Sequence, residues 1–401
     1  MKPLLILTLL ATSAGASAMS AGEYVAKAGD CSACHTSPQG QALAGGMRFA
    51  TPLGDIYATN ITPDKKYGIG SYSFDDFDKA MRKGVAKDGH HLYPAMPYTS
   101  YAKMTPEDMR ALYDYLMTEV KPQAVENKKS DIPWPLSMRW PLGIWNSLFL
   151  QEGVYQPQPE KGDEWNRGAY LVQGAGHCGA CHTPRGWAMQ EQGMDQAELR
   201  FLNGAELDGW YAPSLRGLNV SKDDLVALLK TGRSRHAALS GPMGEVVTHS
   251  SQYLTDSDLN GIATYLLSLE ALPSDAKPTK PAAGAMLSGA QTYARYCSTC
   301  HTPKGEGVDF TIPRLAGNLT VNADNPQTLI RVVLDGAQTP VTQQHMSYAM
   351  PGYGWALNDQ EAADLMSYLR GSWGNKAEPV TAEQVGKVRA EIKKWCWPNT
   401  R

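Results

Sequence analysis

Apolar positions along the chain fall into short runs that recur three times in one order. First comes a helical stretch containing a Tyr, over Gly22 to Asp30, Arg167 to Gly176 and Gly289 to Tyr296. A second apolar helical stretch covers Phe74 to Gly84, Leu225 to Gly232 and Leu329 to Gly336. Each closes on glycine, the usual helix stop. A third begins behind Thr105, Thr255 or Asn358, favoured N-caps followed by acidic first-turn residues. Ten positions beyond each cap stands a Tyr-Leu pair: Tyr115-Leu116, Tyr265-Leu266 and Tyr368-Leu369. Such a repeat predicts an all-α chain of small domains in tandem.

Composition narrows the class. A length of 401 residues suits two to four domains. Gly and Pro number 38 and 26, which means many turns, and a hydrophobic share of 42% with 19% charged residues fits a globular chain. A formal charge of −3 argues against nucleic-acid binding.

The cysteines carry the chemistry. Six of the seven form three pairs: Cys31-Ser32-Ala33-Cys34-His35, Cys178-Gly179-Ala180-Cys181-His182 and Cys297-Ser298-Thr299-Cys300-His301. Cys-x-x-Cys-His is the attachment signature of c-type haem. Two thiols reach two vinyl groups on one porphyrin edge, and the adjacent His meets the iron. A single copy could also be a redox dithiol or half a zinc site. Three copies, each with His at the same place and Thr after it, point to three covalently bound haem c groups. The odd cysteine, Cys396, reads as a shielded thiol or a link to another subunit.

Between the second and third helical stretches lies a Met: Met96, Met243 or Met350. His35 to Met96 and His182 to Met243 are both 61 residues apart, and His301 to Met350 is 49. The order helix, Cys-x-x-Cys-His, helix, Met loop, helix resembles the small soluble cytochrome c fold. That resemblance implies Met96, Met243 and Met350 as second axial ligands opposite His35, His182 and His301. Nearby competitors are His90, His91, His236, His249, His345 and Met346; their offsets do not repeat, so they read as surface or haem-edge residues. Pro63, Pro213 and Pro313 are placed to pack beside the proximal His, as in cytochrome c. Arg48, Arg216 and Arg314 are candidate partners for haem propionates.

Other segments fall outside the repeat. Lys2, the apolar Leu4 to Ala11 and Ala16-Ser17-Ala18 fit a secretory signal, with the mature chain starting at Met19. Trp134 to Leu150 is Trp-rich, but Pro135, Pro141 and Gly143 break it and it is too short to span a bilayer. It suits a partner surface, a membrane interface or a linker over a haem edge. A capped helix from Thr381, with Gln384 closing the capping box, carries Val385, Val388 and Ile392 on one stripe and leads to Trp395-Cys396-Trp397-Pro398. The divisions are a signal peptide over 1–18, cytochrome c domains over 19–121, 165–271 and 287–375, a Trp-rich linker over 122–164, a Pro/Ala linker over 272–286, and a helix and tail over 376–401.

The mature chain as a whole resembles the triheme cytochrome c subunit of bacterial membrane-bound dehydrogenases acting on alcohol, gluconate, 2-ketogluconate, sorbitol or fructose. Beside the haem motifs, the match rests on Gly45-Gly46, Thr51-Pro52-Leu53-Gly54, Thr59-Asn60-Ile61-Thr62-Pro63-Asp64, Pro313-Arg314-Leu315-Ala316-Gly317-Asn318, Met350-Pro351 and Arg370-Gly371-Ser372-Trp373-Gly374-Asn375. The resemblance implies an exported electron-transfer subunit, peripherally attached at the periplasmic face of the inner membrane. Its partners would be a large flavoprotein or quinoprotein dehydrogenase subunit, a small third subunit and ubiquinone. No dinucleotide fingerprint is seen, so substrate oxidation is expected in another chain. The competing expectations are a stand-alone periplasmic carrier feeding an oxidase, and an enzyme with one open haem.

Overall fold

The computed structural model describes residues 18–51, 53–272 and 279–394. Most of the signal segment, Pro52, part of the Pro/Ala linker and Trp395-Cys396-Trp397-Pro398 lie outside them. The fold is helix-rich and built on three crossed helix pairs. Ala21–Ala28 packs on Pro106–Thr118, Asp163–Gln173 on Asp256–Leu267, and Ala283–Tyr296 on Asp359–Gly371. Each crossing has a glycine at its centre. A Cβ added to Gly22 would stand 2.0 Å from the Ala111 carbonyl oxygen; on Gly168 it would stand 1.9 Å from that of Gly261, and on Gly289 2.3 Å from that of Asp364. The backbones touch, and this close approach explains a residue that helix propensity disfavours.

The expected caps form. Thr105 and Thr255 accept from the amides of Asp108 and Asp258, and Asn358 closes a capping box with Glu361. The middle helices Phe74–Lys83, Lys222–Thr231 and Gln327–Asp335 end at Gly84, Gly232 and Gly336, all at positive φ. The helix over Ala382–Lys394 has the expected Thr381–Gln384 box and buries Val385 and Val388.

Two expectations change. The chain is not purely helical: among the described residues three two-stranded antiparallel pairs join Arg48–Thr51 with Gly54–Tyr57, Ala205–Leu207 with Trp210–Ala212, and Gly336–Gln338 with Ala349–Pro351. The middle one turns through Asp208-Gly209, both at positive φ, the residue pair that two-residue hairpin turns favour. The helix before the third haem motif also starts at Ala283, inside the expected Pro/Ala linker.

The larger difference is the core. One continuous apolar cluster runs from Val25 to Leu269 and joins the first two haem-motif segments; a second runs from Tyr293 to Val388. The joint in the first cluster is reciprocal. Tyr24 Oη donates to Asp258 Oδ2 at 2.6 Å and accepts from the Thr255 amide at 3.0 Å. Tyr170 Oη donates to Asp108 Oδ2 at 2.5 Å and accepts from the Thr105 amide at 3.1 Å. Each tyrosine, two residues beyond its crossing glycine, supplements the N-cap of the other segment's last helix. Gln291 holds that place in the third copy, so the exchange cannot be repeated there.

Candidate haem-binding sites

Each Cys-x-x-Cys-His motif lies on a single short helical turn, and the residues just before the first two pairs, Asp30 and His177, take positive φ. The turn aims each histidine at a backbone carbonyl. His35 Nδ1 is 2.6 Å from Thr59 O, His182 Nδ1 is 2.8 Å from Pro213 O, and His301 Nδ1 is 3.0 Å from Pro313 O. A carbonyl can only accept, so Nδ1 carries the proton and the Nε2 lone pair is left for a metal. Burial lowers the pKa of all three histidines, against the hydrogen bonds that raise it, and keeps the rings neutral as a ligand must be. The prolines thus act in the second and third sites through their carbonyls. In the first site the acceptor is Thr59, not Pro63. Asn60 fixes that loop instead, accepting from the Thr62 amide and donating its side-chain amide to the carbonyls of Gln123 and Val125.

The thiols fit covalent attachment better than the alternatives. The six described cysteines are free of disulfides. Burial pushes Cys31, Cys34 and Cys178 up to about 12 and Cys181 and Cys297 up to about 11. Such thiols are poor thiolates, unlike those of a reactive redox dithiol. Among the described residues no group of three or more His, Cys, Asp or Glu is gathered to hold a metal ion. Two thiols and one oriented, neutral imidazole per turn are what covalent haem needs.

The three methionines are half-buried but differ in setting. Met96 lies in a turn, Met243 in the first turn of the Gly241–His249 helix, and Met350 in the Ala349–Pro351 strand opposite Ala337. Only the first matches the expected loop. Pro242 at the helix start and pairing with Gly336–Gln338 account for the other two. Several competitors are otherwise engaged. His90 meets Asp88 at 2.5 Å, His249 meets Glu245 at 3.2 Å, and Met346 is 82% exposed. Arg48 pairs with Asp55, and Arg216 donates to the carbonyls of Phe201 and Glu270.

The first two motifs abut. Tyr101 donates to Gly29 O at 3.1 Å, and its ring lies 5.6 Å from that of His177. The third motif's proximal loop docks on the second segment: the Phe310 and Arg314 amides donate to Ser234 O and His236 O. Within the third segment two quoted motifs come together. Arg370, 1% exposed, donates to the carbonyls of Val321, Ala323 and Glu378. Asn375 ties to Leu315 O, Leu369 O and the Gly317 amide.

The cytochrome c family pattern matches residues 19–119 and 287–373. The chain is 49% identical to the cytochrome c subunit of an alcohol dehydrogenase (quinone) from Gluconacetobacter polyoxogenes, over 92% of this chain and 83% of that one. It is 47% identical to the gluconate 2-dehydrogenase cytochrome c subunit of Pantoea cypripedii, over 92% and 89%. It is 38% identical to the fructose dehydrogenase cytochrome subunit of Gluconobacter japonicus, over 93% and 82%. The chain belongs to the family of dehydrogenase cytochrome c subunits. As a cytochrome c subunit it carries covalently bound haem and transfers electrons. Among its described residues no helix is long and apolar enough to cross a membrane. Sequence reasoning missed Thr59, the Tyr24–Tyr170 exchange and His177. The only signal for a missed element was Asp208-Gly209.

Proposed function

We propose that this cytochrome subunit binds three haem c groups and relays electrons from a partner dehydrogenase to membrane ubiquinone on the periplasmic side of the inner membrane. The partner, a flavoprotein or quinoprotein, oxidises an alcohol, sugar or sugar acid. Cys31, Cys34, Cys178, Cys181, Cys297 and Cys300 form the thioether links. His35, His182 and His301 are the proximal ligands, and Met96, Met243 and Met350 the distal ones. The cytochrome c domains are 19–121, 165–271 and 287–375.

The observation that carries this reading is the proximal geometry repeated three times, an Nδ1–H held by a carbonyl at 2.6, 2.8 and 3.0 Å. When bound, each haem supplies a one-electron iron couple, and His/Met ligation raises its potential. The chain's own part is to tether, to orient each imidazole and to keep it neutral. A pyridine-haemochrome assay should return three haems per chain; two or fewer would refute the motif reading. Substrate should reduce the haems in a complex with the dehydrogenase. Reduction by a soluble donor alone, with no bound partner, would instead favour a stand-alone carrier.

A further inference from the structure

Met350 differs from the other two methionines in what holds its surroundings. Its strand, Ala349–Pro351, pairs with Gly336–Gln338, and the ladder runs on into an arm: the Thr339 amide donates to Tyr348 O at 2.9 Å and the Thr342 amide to His345 O at 3.0 Å. That arm lies on the second haem-motif segment. Arg233 Nη2 donates to Thr339 Oγ1 at 3.2 Å and to Met346 O, and the guanidinium is stacked 4.1 Å from the centre of the Tyr348 ring. Gln252 Oε1 accepts from the Gln343 amide at 2.9 Å. Pro340 occupies the space that a Cβ on Gly232 would need.

Arg233 is a costly choice for its place. It follows the glycine stop of the second middle helix, where the other copies have Val85 and Ala337. It is 3% exposed, its partners are a hydroxyl and a carbonyl rather than a carboxylate, and its Nε is buried with no partner among the described residues. An apolar side chain would fill such a joint without desolvating a charge. What the guanidinium adds is direction. Its planar fork fastens both limbs of the arm at once, Thr339 on the outgoing one and Met346 and Tyr348 on the returning one. Thr339 and Tyr348 lie two steps along the ladder from Ala337 and Met350, so a shift at the clamp is passed directly to Met350. We propose that Arg233 of the second segment is the positioning residue for the third haem's distal ligand, with Gln252 sharing the task; this builds on Met350 as that ligand. The third site is then complete only with the second segment in place. Loss of the clamp lets Met350 withdraw, and loss of a Met ligand lowers a haem's potential.

The test uses the haem-loaded full chain and reads the Met-ligand absorption band together with a redox titration of the haems. Met350→Ala sets the reference: it should remove the band of one haem, about a third of the total for three like sites, and lower one potential. Arg233→Met keeps an unbranched stem without a donor, and should weaken the same band and lower the same potential. Gln252→Ala should do so to a smaller extent. It alters no charge, so a shift common to both variants is not an electrostatic effect of removing Arg233, and it keeps the test valid if Arg233→Met does not fold. Combined with Met350→Ala, neither substitution should remove more of the band. Unchanged band and potentials in the folded variants overturn the proposal even if the unfolding midpoint falls, because Arg233 would then only join two segments. Band losses that add to those of Met350→Ala also overturn it, since they would arise at another haem. If Met350→Ala by itself leaves the band whole, the ligand assignment fails and the proposal with it, a result read without either clamp variant.

Discussion

Replacing Gly289 by Ala sets two opposed effects against each other in one helix. Helix propensity alone favours Ala over Gly by about 1 kcal/mol in a helix interior. At Gly289, however, the new methyl would stand 2.3 Å from Asp364 O and 2.6 Å from Tyr368 Cβ. Relief requires the Ala283–Tyr296 and Asp359–Gly371 helices to move apart by about 1 Å against the packed core of Leu365, Met366 and Leu369. Overpacking of that kind costs roughly 1–3 kcal/mol, and the obstacle here is backbone, which cannot rotate away. The clash therefore outweighs the propensity, and G289A should destabilise by about 2 kcal/mol. Gly284 is the internal control: it lies in the same helix with nothing within 4 Å, so G284A should be neutral or mildly stabilising. Guanidinium unfolding of the haem-loaded protein, followed by far-UV dichroism and Soret absorbance, separates the two. If G289A proves as stable as the wild type while G284A is unchanged, close backbone contact is not what selects glycine at the crossing.

Other outcomes follow from the joints between segments and from the ligand sets. Asp258 is opposed by burial, but Arg167 and Tyr24 hydrogen bonds outweigh it and hold the carboxyl below its usual range. Its contribution is thus present above pH about 4 and lost as pH falls through the lower folded value. D258N should lose about 1–2 kcal/mol near neutral pH, with partial screening of Arg167, and flatten the acid limb of the stability–pH curve; an unchanged acid limb would remove Asp258 from the account. R370M leaves one buried and two half-buried carbonyls short of a donor and should cost about 2–3 kcal/mol, read as earlier unfolding of the segment that holds the third Cys-x-x-Cys-His motif. Met243→Ala should abolish the Met-ligand absorption band of one haem and lower its potential; if the visible spectrum and the potentials are unchanged, a different residue is the ligand.

The helices, their caps and their glycine stops are local events, and their residues were legible in the chain. So were the Cys-x-x-Cys-His motifs, because two thiols and an imidazole are brought together within five residues. The Met positions could be found by order, but not their settings, since strand pairing with Gly336–Gln338 is a contact made at a distance. The carbonyl that each proximal histidine meets was not legible either: Pro213 and Pro313 supply it in two motifs, whereas in the first it comes from Thr59 and not from Pro63. Repetition in the sequence suggested three like domains. Tertiary structure decided instead that two share one core, because Tyr24 and Tyr170 each reach the other segment's capped helix while Gln291 holds that place in the third. A linear repeat fixes which residues each copy owns; which copies fuse depends on side chains meeting across more than sixty residues of chain, and that is settled only when the helices pack.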